Sequence, residues 1–238
     1  MSPPIQITNL KKNFGKFSAL NGVDMTVKQG EVHAFLGPNG AGKTTTIRCL
    51  LGVLKASGGE VKIFGLDAWK NSVELHKRLA YVPGDVHLWD NLTGGEVIDL
   101  FLSFRGAKYS KERREHFLQR FELDPTKKCR TYSKGNRQKV ALVSAFVSDV
   151  ELYVLDVPTS GLDPLLEKVF QDCVQELKNK GCSILLSSHI MSEVERLADS
   201  VSIIKEGKIV LNGSMTEIAA KGKNLEELFL SQYKGELG

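Results

Sequence analysis

The sequence predicts an α/β fold in which short buried strands alternate with amphipathic helices. Val32–Leu36 is a short apolar run, and a helical pattern with apolar residues on one side follows at residues 45–54. Two further apolar runs, Leu152–Asp156 and residues 184–186, flank a segment at 164–180 that has helical periodicity. Strands that alternate with helices in this way are typical of βαβ units and a parallel sheet.

A glycine-rich loop lies between the first of these strands and its helix. Residues 37–44 fit the pattern G-x-x-x-x-G-K-[ST], which cradles nucleotide phosphates. Glycines let backbone N–H groups turn towards an anion, and the helix N-terminus adds its positive end. We expect Lys43 to reach the β- and γ-phosphates and the Thr44 hydroxyl to ligate Mg²⁺. The predicted nucleotide contacts are Gly37, Pro38, Asn39, Gly40, Ala41, Gly42, Lys43, Thr44 and Thr45.

An aspartate ends the second predicted strand. In phosphate-loop enzymes such a strand lies beside the glycine loop, and its terminal carboxylate holds the Mg²⁺ shell. Asp156 occupies this position, so Thr44 and Asp156 are the predicted metal ligands. Many buried strands end in Asp, and the assignment therefore depends on the motifs around it.

Three further motifs occur in a characteristic order. Tyr-Ser-Lys-Gly-Asn-Arg-Gln-Lys occupies residues 132–139, Pro-Thr-Ser-Gly-Leu-Asp occupies 158–163, and His189 follows a later apolar run. Together with the glycine loop and Asp156, this order resembles the ATP-binding-cassette (ABC) ATPase domain across essentially the whole chain. The resemblance implies a P-loop NTPase (RecA-like) core with an antiparallel β element and an inserted helical lobe. It also implies ATP and Mg²⁺ as cofactors.

The resemblance assigns roles to further residues. His189 matches the switch histidine that contacts the γ-phosphate, and Phe14 matches the aromatic residue that stacks on adenine. The family signature, usually Leu-Ser-Gly-Gly-Gln, begins here with Tyr132 and continues through Ser133, Lys134, Gly135 and Asn136. Alternatives stay open at this stage: Ser133 also suits an ordinary helix N-cap, Phe14 suits a core position, and an isolated histidine is usually structural.

Two positions depart from the family pattern. A Glu usually follows the metal Asp and polarises the attacking water, but this chain has Val157. Because valine has no lone pair, we expect ATP binding to survive and hydrolysis to lose the roughly 10²–10⁴-fold that general acid–base catalysis supplies. Gly84 replaces a Gln or Glu that touches Mg²⁺, and Asp85 is a candidate substitute. Val157 and His189 are thus the predicted catalytic positions, and both a natural and an engineered origin of Val157 fit the sequence.

We expect one domain that spans residues 1–238. Residues 1–86 and 150–215 form the predicted α/β core, whose antiparallel element has strands at about 5–11, 23–27 and 60–64. A capping box at Thr93 and an N-cap at Ser110 begin two helices, which join a signature helix at about 137–147 in a helical lobe at 87–149. A hairpin is predicted at 200–212. Residues 216–238 form a C-terminal tail with an amphipathic helix at 224–233.

Composition excludes several classes of function. A net charge of +4 and a hydrophobic content of 42% are ordinary for a globular protein. The basic clusters at 111–114 and 127–130 lack interleaved aromatic residues, so we expect no nucleic-acid partner. The cysteines lack metal-type spacing and suit a reducing compartment; they are Cys49, Cys129, Cys173 and Cys182. The N-terminus does not resemble a signal peptide, and no apolar run approaches the ~20 residues that span a bilayer.

We therefore expect the nucleotide-binding subunit of an ABC transporter of the bacterial drug- or polymer-exporter type, whose tails residues 225–230 resemble. It would bind a separate transmembrane permease subunit at the cytoplasmic face of the membrane. Two copies, or this chain and a homologue, would form a head-to-tail dimer that sandwiches ATP. The alternatives are a soluble ABC ATPase of DNA repair, translation or cofactor assembly, and a non-catalytic ATP-gated regulator, which Val157 would suit.

Overall fold

The structure is a computed structural model that describes residues 2–105, 110–220 and 224–231. A six-stranded sheet forms its centre. The strands are β1 Ile5–Phe14, β2 Phe17–Val27, β3 Val32–Leu36, β4 Gly58–Ile63, β5 Leu66–Asp67, β6 Leu79–Val82, β7 Leu152–Asp156, β8 Ser183–Ser188, β9 Ser200–Lys205 and β10 Lys208–Ser214. The helices are α1 Lys43–Leu50, α2 Ser72–Leu75, α3 Gly94–Phe104, α4 Lys111–Arg120, α5 Lys134–Val147, α6 Pro164–Asn179, α7 Met191–Leu197, α8 Met215–Ala220 and α9 Leu225–Ser231.

The central sheet has the order β10-β9-β3-β8-β7-β6. Strand β3 is parallel to both β8 and β9, and β7 is parallel to β8 and β6. Among the described residues of this sheet, the antiparallel pairing is that of the last hairpin, β9 with β10. Every residue of β3, β7 and β8 is buried, as expected for parallel strands that helices cover on both faces. The carboxyl ends of β3, β8 and β7 consequently meet at one edge of the sheet.

A second sheet, of order β2-β1-β4-β5, is antiparallel throughout and confirms the predicted antiparallel element. Its first two strands are longer than predicted, because the pairing continues through the polar residues 11–13 to a tight turn at Gly15. Strand β5 has two residues, too few for a periodic signal in the sequence.

Three helices, α3, α4 and α5, lie between β6 and β7 in the chain. The capping box at Thr93 and the Ser110 N-cap are both present, as predicted. Helix α5 begins at Lys134, three residues earlier than expected, because Ser133 accepts a hydrogen bond from the Asn136 N–H and makes the first turn helical. These helices pack through Phe117, Phe121 and Phe146 against the central sheet.

The last helices cover the end of the sheet where β9 and β10 lie. Helices α8 and α9 bury Ile218, Leu225 and Leu228 against β3 and β9. The predicted tail helix at 224–233 is observed as α9, and its last two residues lie outside the described residues. Residues 1, 106–109, 221–223 and 234–238 also lie outside the described residues. The division of the domain into core, lobe and tail stays a prediction.

Candidate nucleotide site

The glycine loop connects β3 to α1 and leaves room only for glycine at two positions. A Cβ atom at Gly37 would lie 2.5 Å from the carbonyl oxygen of Ile204 on β9. Gly42 has a left-handed φ of 115°, and a Cβ there would lie 2.8 Å from Leu20. Among the described residues, no side chain caps the N-terminus of α1 and no acidic residue lies in its first turn, so its positive end stays open to an anion.

The side chain of Lys43 folds back over this loop. Its Nζ atom donates to the carbonyl oxygens of Gly37, at 2.5 Å, and Pro38, at 3.0 Å. Burial lowers the pKa of Lys43, and the carboxylate of Asp156 opposes that shift. The ammonium is thus held in place at the loop before any phosphate binds, which reduces the side-chain entropy that binding would cost.

Asp156 lies at the end of β7, beside the glycine loop. Its Oδ2 atom accepts a hydrogen bond of 3.3 Å from the Thr44 hydroxyl, which brings the two predicted metal ligands together. Its Oδ1 atom is buried without a partner among the described residues, as is the hydroxyl of Ser187, the residue paired with it on β8. An unpaired buried oxygen is costly. This cluster of a carboxylate and hydroxyls is the oxygen-rich donor set that Mg²⁺ prefers, so the residues present fit the ion.

Val157 and Gly84, the two departures from the family pattern, are neighbours in space. A Cβ atom at Gly84 would lie 3.6 Å from the Cβ atom of Val157 and 3.1 Å from the backbone oxygen of Asp156. Val157 has a φ of 46°, an outlier for a β-branched residue, and donates its N–H to the Ser187 oxygen at 2.9 Å. The site therefore lacks two polar side chains at one place, and the backbone at Val157 is strained.

The carboxylate of Asp85 does not fill this gap. Its Oδ2 atom lies 3.0 Å from Nε2 of His87, and its side chain is 80% exposed. Asp85 is thus engaged with a surface histidine, which gives no support to the idea that it substitutes for the missing residue at position 84.

His189 directly follows β8, at the same edge of the sheet as the glycine loop and Asp156. Its side chain is exposed. The preceding Ser188 is buried, and its hydroxyl accepts a hydrogen bond of 3.1 Å from the N–H of Ile190, which closes the turn on which His189 lies. This exposed position excludes a core role for His189 and is compatible with contact to a ligand at the sheet edge.

The signature residues lie at the N-terminus of α5 and contact the loop that follows Asp156. Ser133 and Lys134 are exposed, while Gly135 and Asn136 are partly buried. A Cβ atom at Gly135 would lie 2.5 Å from the oxygen of Gly161, so only glycine fits there. The buried Gln138, whose role the sequence did not reveal, donates to the Pro158 oxygen at 3.0 Å and ties the two segments together.

Two aromatic side chains flank the hairpin turn between β1 and β2. Phe14 is 50% exposed, which excludes a core role, and the Lys12 ammonium lies 5.0 Å from its ring centroid. Phe17, its cross-strand partner, is 67% exposed and lines a cavity of about 930 Å³ together with Gly40 of the glycine loop and Gly207. Sequence reasoning selected Phe14 alone. The sequence did offer a signal for Phe17, because a second aromatic residue follows Phe14 after only a Gly-Lys turn.

The arrangement of loop, carboxylate strand and signature helix agrees with comparisons to known proteins. The ABC transporter family model matches residues 20–160. The chain belongs to the ABC transporter family. The prediction of an ATP-binding subunit of this family with a P-loop NTPase fold is thereby confirmed.

Two curated relatives are named for bacitracin transport and for daunorubicin resistance. The bacitracin transport ATP-binding protein BcrA of Bacillus licheniformis is 36% identical over 234 residues, which cover 97% of this chain and 76% of that protein. The daunorubicin resistance ATP-binding protein DrrA3 of Streptomyces coeruleorubidus is 33% identical over 221 residues, 91% of this chain and 70% of that protein. A solved ATP-binding subunit of an ABC transporter superposes with a TM-score of 0.88 at 31% identity, covering 95% of this chain and 98% of that one.

The two aromatic residues at the hairpin allow a direct test of the adenine assignment. If Phe14 stacks on the base, Phe14→Ala should weaken ATP binding by about 1–3 kcal/mol, the usual scale for base–aromatic stacking, and Phe14→Tyr should be nearly neutral. Phe17→Ala is the matched control, because both rings are exposed and neither removal leaves a core cavity. Calorimetric titration measures all three variants. If only Phe17→Ala weakens ATP binding, the ring that lines the cavity holds the base and the assignment of Phe14 is wrong.

Proposed function

We propose that this chain is the ATP-binding subunit of a bacterial exporter, that it binds Mg-ATP tightly, and that it hydrolyses ATP very slowly. Membership of the ABC transporter family supports ATP binding and a role in transport. The proposal of slow hydrolysis depends on one observation: the position after Asp156, where the family usually has a Glu, holds Val157. Gly84, a neighbour of Val157 in space, supplies no side chain in its place.

The binding half of the site is intact. The N–H groups of residues 37–44 and the start of α1 would hold the phosphates, and Lys43 would neutralise their charge. Thr44 and Asp156 would hold Mg²⁺, and the Oδ1 atom of Asp156, which is buried without a partner among the described residues, is available as a ligand. Bound there, Mg²⁺ would neutralise charge on the phosphate oxygens.

The catalytic half is incomplete. Hydrolysis joins a water oxygen to the γ-phosphorus, breaks the bond to the β–γ bridging oxygen, and passes the water's proton to a base. Val157 can neither accept that proton nor orient the water, and its neighbour Gly84 offers no side chain in its place. A positioned base contributes about 10²–10⁴-fold, so its absence accounts for slow turnover without loss of binding.

We further propose that two copies form the complete site. Ser133 is exposed at the N-terminus of α5, and no hydrogen bond among the described residues joins residues 133–136 to the glycine loop of the same chain. A second copy in head-to-tail orientation would place its Ser133 and Gly135 against the γ-phosphate, where the helix N-terminus favours negative charge. Because hydrolysis opens such a dimer, the parent chain should close on ATP and reopen slowly.

This chain has a groove that is suited to bind a membrane partner. A groove of about 530 Å³ lies between the central sheet and α3, and Val73 and Phe104 at its rim are 78% and 72% exposed. The charged or titratable side chains that line it include Lys77, His76, His87 and Arg105, and none of its described lining residues is acidic. We propose that an apolar helical segment with acidic residues, from the cytoplasmic side of a permease subunit, occupies this groove.

The chain would then lie at the inner face of the cell membrane. No helix within the described residues has the length and apolar character that crossing a bilayer requires. A non-catalytic ATP-gated regulator is the second candidate, favoured because Val157 and its neighbour in space, Gly84, both lack a polar side chain. A soluble ABC ATPase outside transport is less well supported, because the compared relatives have transport or resistance in their names.

The hydrolysis proposal is tested by restoring the carboxylate. Val157→Glu should raise steady-state phosphate release by roughly 10²-fold or more, because it supplies a positioned base. Val157→Gln is the matched control of nearly equal shape that cannot accept the proton, and it should stay slow. Lys43→Ala in the Val157→Glu background should abolish turnover and thus exclude a contaminating ATPase. Fast release by the parent chain contradicts the proposal. An inactive Val157→Glu that binds ATP normally favours the regulator, and adding Gly84→Gln then tests whether both side chains are required.

The groove is tested by co-expressing this chain with a candidate multispanning permease chosen from the neighbouring genes of its source locus. Val73→Glu places a charge on the exposed apolar rim and should strongly reduce co-purification of that protein in detergent, while ATP binding stays unchanged. Leu230→Glu, which alters an exposed apolar residue on α9 away from the groove, is the control and should co-purify like the parent. Equal co-purification of the Val73→Glu and parent chains would show that the permease does not use this groove.

A further inference from the structure

A buried carboxyl group lies behind the turn that carries His189. Glu193 on α7 is 5% exposed, and its Oε2 atom accepts a hydrogen bond of 2.6 Å from the Ser188 hydroxyl. The same hydroxyl accepts the Ile190 N–H at 3.1 Å. The hydroxyl of Ser188 is therefore fixed from both sides, and the turn that presents His189 is held by Glu193.

The same carboxyl group also reaches the loop that follows Val157. Thr159, which is 4% exposed, lies in that loop, and its side chain interacts with the Glu193 carboxyl group and lowers its pKa. Two residues back along that loop, the carbonyl oxygen of Val157 accepts the Ser160 N–H at 3.2 Å. Glu193 thus joins two segments that leave neighbouring strands, one with the catalytic position and the other with the switch histidine.

Packing alone does not require an acid at this position. Helix α7 already buries Val194 and Leu197 without polar partners. Burial raises the pKa of Glu193, while the side chains of Ser188 and Thr159 oppose that shift and the charge of Glu167 adds to it. A buried carboxyl group is costly to keep, and an apolar residue of similar volume is often at least as stabilising.

We propose that Glu193 is a positioning residue, which couples the conformation of the loop at 157–163 to the orientation of His189. The proposal rests on the proposed ATP-dependent dimer, in which His189 contacts the γ-phosphate. Glu193 itself touches no nucleotide. When the loop at 157–163 meets the partner copy, the interaction of Thr159 with Glu193 and the hydrogen bond from Ser188 to Glu193 carry that contact to the histidine turn.

The test is a double-mutant cycle on the Mg-ATP-dependent dimer of the full chain, measured by sedimentation equilibrium. His189→Ala should weaken the dimer by about tenfold or more, Glu193→Ala should weaken it by a similar factor, and the double variant should be no weaker than either, because the two act as one unit. Glu193→Gln keeps an acceptor oxygen for Ser188 and Thr159 and should stay close to the parent. Glu195→Ala, on the same helix but bonded to the Leu225 N–H, is the matched control and should have no effect.

The alternative is that the interactions of Glu193 stabilise the fold without acting through His189. In that case Glu193→Ala weakens the dimer equally with and without His189, and Glu195→Ala produces a comparable loss. Either result overturns the inference, as does a folded Glu193→Ala chain that dimerises like the parent. If the parent itself forms no dimer with Mg-ATP, the proposed dimer fails and the inference fails with it. If the dimer forms but His189→Ala has no effect on it, the inference alone is overturned. Thermal denaturation and ATP titration of each monomer separate these outcomes from unfolding.

Discussion

The parallel pairing of β3, β8 and β7 is the constraint on which the rest of the site depends. It brings three chain segments to the same edge of one sheet: the glycine loop, the turn with His189 and the loop after Asp156. Because the strands are buried on both faces, a slip in register would disrupt close packing against the helices on either side. Groups separated by more than 100 residues are therefore held within hydrogen-bond distance, as the contact between Thr44 and Asp156 demonstrates.

Electrostatics divides this edge into a complete half and an incomplete half. Lys43 and Asp156 place opposite charges around a space that the positive end of α1 faces, and both are largely buried. In such surroundings charge interactions with phosphate and Mg²⁺ are stronger than in water. Next to them, Val157 and Gly84 present a strained backbone and an apolar surface. We therefore propose that the same edge binds a nucleotide and offers little to activate water, which is the combination expected of an ATP-dependent clamp.

The sequence predicted the parts of the site that are local in the chain. Lys43, Thr44 and Asp156 follow from short motifs next to strands, and those strands have the predicted bounds because buried parallel strands are continuous apolar runs. It did not predict contacts between distant segments, such as Gly84 against Val157. Helix α7 was missed because seven residues give too short a periodic pattern, and the role of Glu193 was missed with it. The exposed fraction of Phe14 excludes a core position for its ring, an alternative that the sequence had left open.

We propose that this chain binds ATP tightly and hydrolyses it very slowly, and the chemical state of the bound nucleotide tests this proposal most directly. The parent chain is incubated with Mg²⁺ and ATP labelled at the γ-phosphate, the dimer is isolated by gel filtration, and its nucleotide is analysed. We expect a dimer that retains ATP with its γ-label over a time in which the Val157→Glu chain has released its phosphate. A dimer that contains ADP, or a parent chain that releases labelled phosphate as fast as the Val157→Glu chain, would contradict it.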